Sequence, residues 1–399
     1  MDEPMAPIVA PEKCTGCGVC RNLCPHDAIR MDTDDEGFFS PVIDQALCRR
    51  CGLCRRKCPQ TNPPILFRNR EPDVYACWNL DPEKRAVASS GGMFSVYGEQ
   101  VLEKGGTVFG VAYDQALDVR FVAARTKEEL KPLSGSKYVQ ADPQWVYREA
   151  NAELEAGREV LFVGTPCQVA GLYAFLGEDR PNLLTCDFLC HGVPSPLFYR
   201  KWLDDLAKRY RGPIVSINMR SKLCRSSFMG IEIRADSRPP IHKFLSWRDR
   251  HVEYLGKAFL KNYALRKSCY DCPYIKYPRM GDITLADFWK LGNLGTEESE
   301  KPKGISLNLI NSKKGARVLE EVADRVRLIR RDLAEAVAGN STLYRHTFRP
   351  SQRDAFVRDT VRYDYKALIR KYRKELYDPL VTRILGTVKR RLRLLLKGN

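Results

Sequence analysis

The sequence predicts a small α+β module, then an α/β domain with a mostly parallel sheet, then a helical basic C-terminal tail, divided at 1–66, 67–350 and 351–399. Three observations carry this. The opening residues hold a duplicated run of closely spaced cysteines. The middle of the chain alternates strand patterns with amphipathic helical ones, as an α/β layer architecture requires. The end is dense in cations: Lys366 to Asn399 carries eleven lysines and arginines against Glu375 and Asp378, +9 of the formal +17.

The two cysteine runs are Cys14-Thr-Gly-Cys17-Gly-Val-Cys20-Arg-Asn-Leu-Cys24-Pro25 and Cys48-Arg-Arg-Cys51-Gly-Leu-Cys54-Arg-Arg-Lys-Cys58-Pro59. Both read C-x2-C-x2-C-x3-C-P, the run that holds cubane iron–sulfur clusters in bacterial-type ferredoxins. Residues 1–66 are therefore read as a ferredoxin-like module with two [4Fe–4S] clusters. Three thiolates wrap one loop, and the fourth reaches across to the other cluster. This pairs Cys14, Cys17 and Cys20 with Cys58, and Cys48, Cys51 and Cys54 with Cys24. A zinc knuckle or a disulfide framework competes, but two complete copies, each ending in Cys-Pro, argue against both. The stretch 38–43 supplies a strand between the halves. So small a module has little core, and its clusters act as staples. His26 within it is expected only to modulate the neighbouring cluster.

The 44% hydrophobic content is that of a globular chain. Met1-Asp-Glu-Pro shows no secretory pattern, and no run of about 18 apolar residues is present. With 15 cysteines, an odd number, a reducing cytoplasm is the expected location. In the tail, Leu380, Ile384, Leu385, Val388, Leu392 and Leu395 form an apolar stripe among Arg383, Lys389, Arg390, Arg393 and Lys397. That pattern suits an interfacial helix at the inner face of a membrane, or a tail packed on the body. No recognised motif accompanies the charge, so nucleic acid is not an expected partner.

Along the α/β domain, strands are expected at 74–78, 107–113, 119–124, 159–164, 183–189 and 304–310. Helices are expected at 93–104, 144–156, 168–177, 196–210, 252–266 and 315–330. Residues 214–247 read as β-rich, and the chain beyond 331 as helical and polar. The strand–helix–strand unit 159–189 favours parallel strands joined by a right-handed crossover. Cys167 and Cys190 then lie at the carboxyl ends of neighbouring strands, where open α/β sheets place their sites.

Cys167, Cys190, Cys269 and Cys272 make a candidate four-thiolate site. A third cubane and a tetrahedral zinc both suit it, and the module upstream favours iron–sulfur. Cys186 is read as core, with replacement of one of the four as its alternative. Cys77 and Cys224 are read as structural. Ser89-Ser90-Gly91-Gly92 opens a helix, either as a phosphate seat or as an ordinary cap. Ser136-Lys137-Tyr138 is a turn presenting a cation and a ring toward a flavin, or else a surface loop. His191 and Lys137 are the candidate proton donors, His191 being equally readable as a structural histidine. His242, His251 and His346 stay unassigned.

Taken together, residues 72–350 resemble the beta-subunit family of coenzyme F-420 hydrogenase and dehydrogenase. The resemblance rests on Ser89-Ser-Gly-Gly-Met-Phe-Ser, Ser136-Lys-Tyr-Val, Gly164-Thr-Pro-Cys-Gln-Val-Ala-Gly-Leu, Cys190-His-Gly-Val-Pro-Ser-Pro, Ser268-Cys-Tyr-Asp-Cys and Asp282-Ile-Thr-Leu-Ala-Asp-Phe-Trp, in that order. It implies an iron–sulfur flavoprotein with FAD near Ser89, Ser90, Gly91, Gly92, Ser136, Lys137 and Tyr138. It further implies a cubane on Cys167, Cys190, Cys269 and Cys272. The expected partners are ferredoxin or another redox protein, and a small-molecule substrate. Coenzyme F-420-linked chemistry, or service as an electron-transfer subunit of a larger complex, is the alternative role.

Overall fold

The computed structural model describes residues 6–66, 68–69, 71–223, 230–246 and 250–376. Its strands, in chain order, are β1 (Ile29–Thr33), β2 (Phe39–Ile43), β3 (Asp73–Asn79), β4 (Thr107–Tyr113), β5 (Val119–Ala124), β6 (Val160–Gly164), β7 (Leu183–Phe188), β8 (Ile214–Ser221), β9 (Gly230–Ala235), β10 (Ile241–Ser246), β11 (Ile283–Asp287), β12 (Ser306–Ile310) and β13 (Val326–Arg331).

The N-terminal part shows its duplication in the backbone. Gly18 and Gly52 each sit in the left-handed region, φ 77° and 74°, and open the short helices Val19–Leu23 and Leu53–Arg56. A side chain at either position would strain the same turn. Between the two helices β1 and β2 pair antiparallel, Ile29 opposite Ile43. The Asp34 carboxylate closes their turn by accepting from Glu36 N, Phe38 N and Ser40 Oγ at 2.8–3.0 Å.

Eight strands form the central sheet, in the order β13-β3-β12-β11-β7-β6-β4-β5. The expectation of a mostly parallel sheet is corrected to a mixed one. The run β11-β7-β6-β4 is parallel, whereas β5, β12, β3 and β13 join antiparallel. The parallel centre follows from the crossover helix Pro166–Leu176, which needs both flanking strands buried; Val160, Leu161 and Phe162 are fully buried. Short connections on either wing reverse the chain instead.

Two elements differ from the sequence expectation. The helix expected at 315–330 covers Lys313–Glu321, and Val326–Arg331 is β13. Its residues pair along the free edge of β3, which satisfies backbone groups that a continuing helix would leave unpacked. Ile283–Asp287, given no element from sequence, forms β11 between β7 and β12.

Helices Met93–Glu103 and Lys313–Glu321 cover one face of the sheet, Val146–Glu155 and Pro166–Leu176 the other. Val19 and Cys17 pack into this second layer. A separate antiparallel sheet, β10-β9-β8, shares a core with Pro196–Tyr210 and the chain end. Residues 353–376, expected to begin a separate tail, bury Phe356, Leu368 and Leu376 in that core beside Trp202 and Ile231. The apolar stripe from Leu380 to Leu395, and Cys224, lie outside the described residues. Among the described residues no helix is long and apolar enough to cross a membrane.

Candidate redox site

The carboxyl edge of the parallel strands gathers four of the cysteines of the α/β domain, Cys167, Cys190, Cys269 and Cys272. Pro166 starts the helix after β6, and Gln168 Oε1 accepts from Thr165 N at 2.9 Å to fix its first turn. This holds Cys167 at a helix N-terminus, its Sγ 3.1 Å from Thr165 Oγ1. Cys190 follows β7, and Cys269 lies in a 3-10 turn, Lys267–Asp271, with Cys272 just after it. Burial pushes the Cys190 thiol well up, and the nearby Cys269, Cys167 and Cys272 push the same way. Burial likewise raises Cys269 to about 11 and Cys272 to about 12.

Their raised pKa values would keep the protons on these four partly buried thiols; a bound metal centre would remove them and take the thiolates as ligands. The surroundings suit such a change. Arg266, Arg279 and Arg353 are buried, at 3%, 2% and 0% exposure. Burial raises Cys167, Cys269 and Cys272, and the arginine charges oppose that rise, Arg266 at Cys167 and Cys269, Arg279 at Cys272 and Arg353 at Cys269. The buried hydroxyl of Ser268, next to Cys269, finds no partner among the described residues, and that of Thr15, next to Cys14, faces the Cys167 thiol. Cluster sulfides are acceptors that the Ser268 hydroxyl lacks. The donor set thus fits a cubane.

The N-terminal cysteines lie against this site. Burial pushes Cys17 up to about 12, and Cys167, Cys14 and Cys58 add to the rise. Cys20 is raised by burial and by Cys17, Cys14 and Cys54, and Cys54 by burial with Cys51 and Cys48. Cys58 lies near Cys14 and Cys17 of the other run as well as near Cys54 of its own. Cys24 accepts from Ala28 N at 3.3 Å and packs in one small apolar cluster with Cys20, Cys54 and Cys58.

Three side chains, none of them legible as functional from sequence, tie the two parts together. Arg266 donates to Cys14 O at 2.6 Å, Phe39 O at 2.9 Å and Ser40 Oγ at 2.8 Å. The Tyr147 hydroxyl donates to Cys17 O at 2.8 Å and lies 3.2 Å from Gln168 O. The Tyr274 hydroxyl donates to Pro59 O at 2.7 Å, and its pKa is raised by burial and then by Cys17, Cys167, Cys272 and Cys58. Tyr274 thus stands between both groups of sulfurs.

The Ser89–Gly92 turn and the Ser136–Tyr138 turn meet. Ser136 N donates to Ser89 Oγ at 2.9 Å, and the two hydroxyls lie 3.1 Å apart. A Cβ on Gly91 would stand 2.4 Å from Cys77 O and 2.8 Å from Ser306 N, so only glycine allows this approach. Gly92, φ 90°, caps the helix Met93–Glu103. Lys222 donates to Ser90 O and to Arg85 O, and burial lowers its pKa to about 8. Lys137 is otherwise occupied: its Nζ reaches Pro132 O, Leu133 O and Ser134 O at 2.9–3.0 Å. Burial pulls its pKa down to about 7, yet three carbonyl acceptors match the three N–H groups of an ammonium.

The Tyr138 ring lies 5.0 Å from that of Phe259, which lies 5.0 Å from His191. His191 Nε2 is 2.7 Å from Asn262 Oδ1, and burial holds the ring toward its neutral form. Arg220 forms a two-pronged pair with Asp287, at 2.5 and 3.2 Å, beside Tyr138. Asp287 sits in the quoted Asp282–Trp289 stretch and was detectable there; Arg220 and Lys222 left no signal in a β-rich run.

Comparison with known proteins places this arrangement. The model for the coenzyme F420 hydrogenase/dehydrogenase beta subunit N-term matches residues 74–144, and that for its C terminus matches 157–335. A 4Fe-4S dicluster domain matches residues 13–62. The chain belongs to the coenzyme F420 hydrogenase/dehydrogenase beta-subunit family and carries an N-terminal dicluster domain. It is thus an iron–sulfur electron-transfer protein. Ferredoxin-1 of Caulobacter vibrioides is 52% identical over 29 residues, which span 7% of this chain and 26% of that ferredoxin. A chain of the F420-reducing [NiFe] hydrogenase complex from Methanosarcina barkeri aligns at TM-score 0.46 and 17% identity, covering 76% of this chain and 93% of its own.

Proposed function

We propose that the chain is an iron–sulfur flavoenzyme that exchanges electrons with ferredoxin or a similar one-electron carrier and reduces a small organic substrate. Cys14, Cys17, Cys20 and Cys58 would hold one cubane; Cys48, Cys51, Cys54 and Cys24 a second; Cys167, Cys190, Cys269 and Cys272 a third. FAD would lie against Ser89–Gly92 and the Ser136–Tyr138 turn. Bound there, the clusters would carry single electrons and the flavin would convert them into pairs.

The observation that carries this proposal is the closeness of Cys17 to Cys167, with Tyr274 beside both. Tyr147 and Arg266 hold that contact by hydrogen bonds to Cys17 and Cys14. The meeting of Ser89 with Ser136 supports one continuous binding edge. His191, held toward its neutral form by burial and oriented by Asn262, is the candidate proton donor. Lys137 is better suited to holding the 132–138 turn. Family membership favours one second reading, exchange with coenzyme F-420 in place of another substrate.

Anaerobic purification followed by iron, sulfide and flavin analysis tests the proposal. Three cubanes give about twelve irons per chain. Cys167→Ala should remove about a third of the iron and leave the N-terminal pair. Unchanged iron in that variant would refute the third cluster, and absence of flavin would refute the FAD site.

A further inference from the structure

The two cysteine runs, alike in spacing, differ in how they meet solvent. In the first run Cys17 is buried against the body, and Cys20 in the small cluster with Ile8, Ile29 and Cys58. Its one arginine is absorbed there: Arg21 pairs with Asp142 at 3.5 Å and stacks on Trp145 at 4.3 Å. In the second run Cys51 is exposed. Arg49, Arg50, Arg55 and Arg56 around it are exposed as well. No Asp or Glu occurs between Asp44 and Glu71 in the sequence. Among the described residues, Arg55 and Arg56 reach backbone oxygens, Ala6 O and Cys51 O, and no carboxylate. Leu47, 50% exposed, gives this cationic ring an apolar contact.

Exposed arginines with no carboxylate partner among the described residues, set around an apolar spot, are the composition of a recognition surface, and their sign selects an acidic partner. An electron-carrier protein suits the position, because tunnelling falls off steeply with distance and Cys51 is the exposed member of the run. We propose that the face from Leu47 to Arg56 docks an acidic electron-carrier protein. The proposal rests on the electron-transfer function argued above and deepens it by naming where the carrier meets the chain. At that surface the reduced carrier gives up one electron and the iron–sulfur centre held by this run takes it; no proton or bond is involved. Arginines here would also offset the negative charge of a thiolate-bound cluster, so the test separates docking from tuning.

The probe is an acidic plant-type [2Fe–2S] ferredoxin in its oxidised state, titrated calorimetrically into anaerobically purified full-length protein. Wild type should bind with an affinity that falls steeply from low to physiological salt. Arg49→Glu with Arg50→Glu should weaken binding about tenfold or more and flatten that salt dependence. The variant should keep its iron and be bleached by reduced methyl viologen at the wild-type rate. Equal binding by variant and wild type, or no binding by wild type, would overturn the docking surface. Parallel slowing with viologen would also overturn it, in favour of tuning. So would loss of binding to phosphatidylserine vesicles with ferredoxin binding intact, which makes the occupant a membrane. An iron-free wild type would instead sink the proposed function itself, whereas viologen bleaching without ferredoxin binding sinks the docking surface alone.

Discussion

Replacing Arg266 by methionine should loosen the N-terminal part from the α/β domain. The guanidinium is 3% exposed and lies 5.4 Å from the Phe38 ring, so methionine fills the space of its stem. Three acceptors lose their donor: Cys14 O, Phe39 O and Ser40 Oγ. They do not lose equally. Phe39 O keeps Gln140 Nε2 at 3.2 Å, and Ser40 Oγ still donates to Asp34 at 2.8 Å. Cys14 O is left unmet, which costs about 1–3 kcal/mol, while the other two lose about 0.5 kcal/mol each. A total near 3 kcal/mol corresponds to roughly a hundredfold in a local opening equilibrium. Native-state hydrogen exchange reads such an opening directly. Amides of residues 14–23 and 38–43 should exchange about a hundredfold faster, with those of β6 and β7 unchanged. Arg266→Lys, which keeps charge but not the fork, should fall between. Exchange within threefold of wild type across 14–23 would refute the argument that Arg266 holds this interface.

Two further outcomes follow from the same packing. Gly91→Ala places a methyl 2.4 Å from Cys77 O and 2.8 Å from Ser306 N; it should cost about 2 kcal/mol and lower Tm, and an unchanged Tm would mean that the turn yields freely. Glu153 is held down to about 2 by Arg158, with Arg125 and Thr107 adding to the effect. Its folded pKa lies below its unfolded one, so its contribution is complete above about pH 4.5 and is lost as pH falls toward 2. Arg125 and Arg158 are half in solvent, which reduces that contribution to about 1 kcal/mol. Glu153→Gln should therefore unfold more readily in urea at pH 7 and differ less from wild type at pH 2.5; an equal gap at both pH values would contradict the assignment.

Local pattern was enough for the elements that frame the site. The strand 159–164 and its helix showed themselves because an apolar run meets Thr165-Pro166 and a periodic stretch, and β6 with Pro166–Leu176 stands there. The segment 326–331 misled, because Val-Arg-Leu-Ile-Arg-Arg satisfies either period and only the free edge of β3 chose between them. The mixed sheet was hidden for a similar reason: strand direction depends on which neighbour a strand finds, not on its own residues.

The sequence by itself determined the residue chemistry: two complete four-cysteine runs, a C-x2-C turn, and cysteines at two strand ends, all written in short-range spacing. Spacing within a loop is a covalent constraint, so no fold is needed to read it. The tertiary structure alone decided that Cys17 neighbours Cys167, that Arg266 and Tyr274 join the two parts, and that Lys137 serves carbonyls of its own turn. The contacts of Cys17, Arg266 and Tyr274 join residues up to about 250 positions apart, and they depend on burying the helix Val19–Leu23 against Val146–Glu155 and Pro166–Leu176.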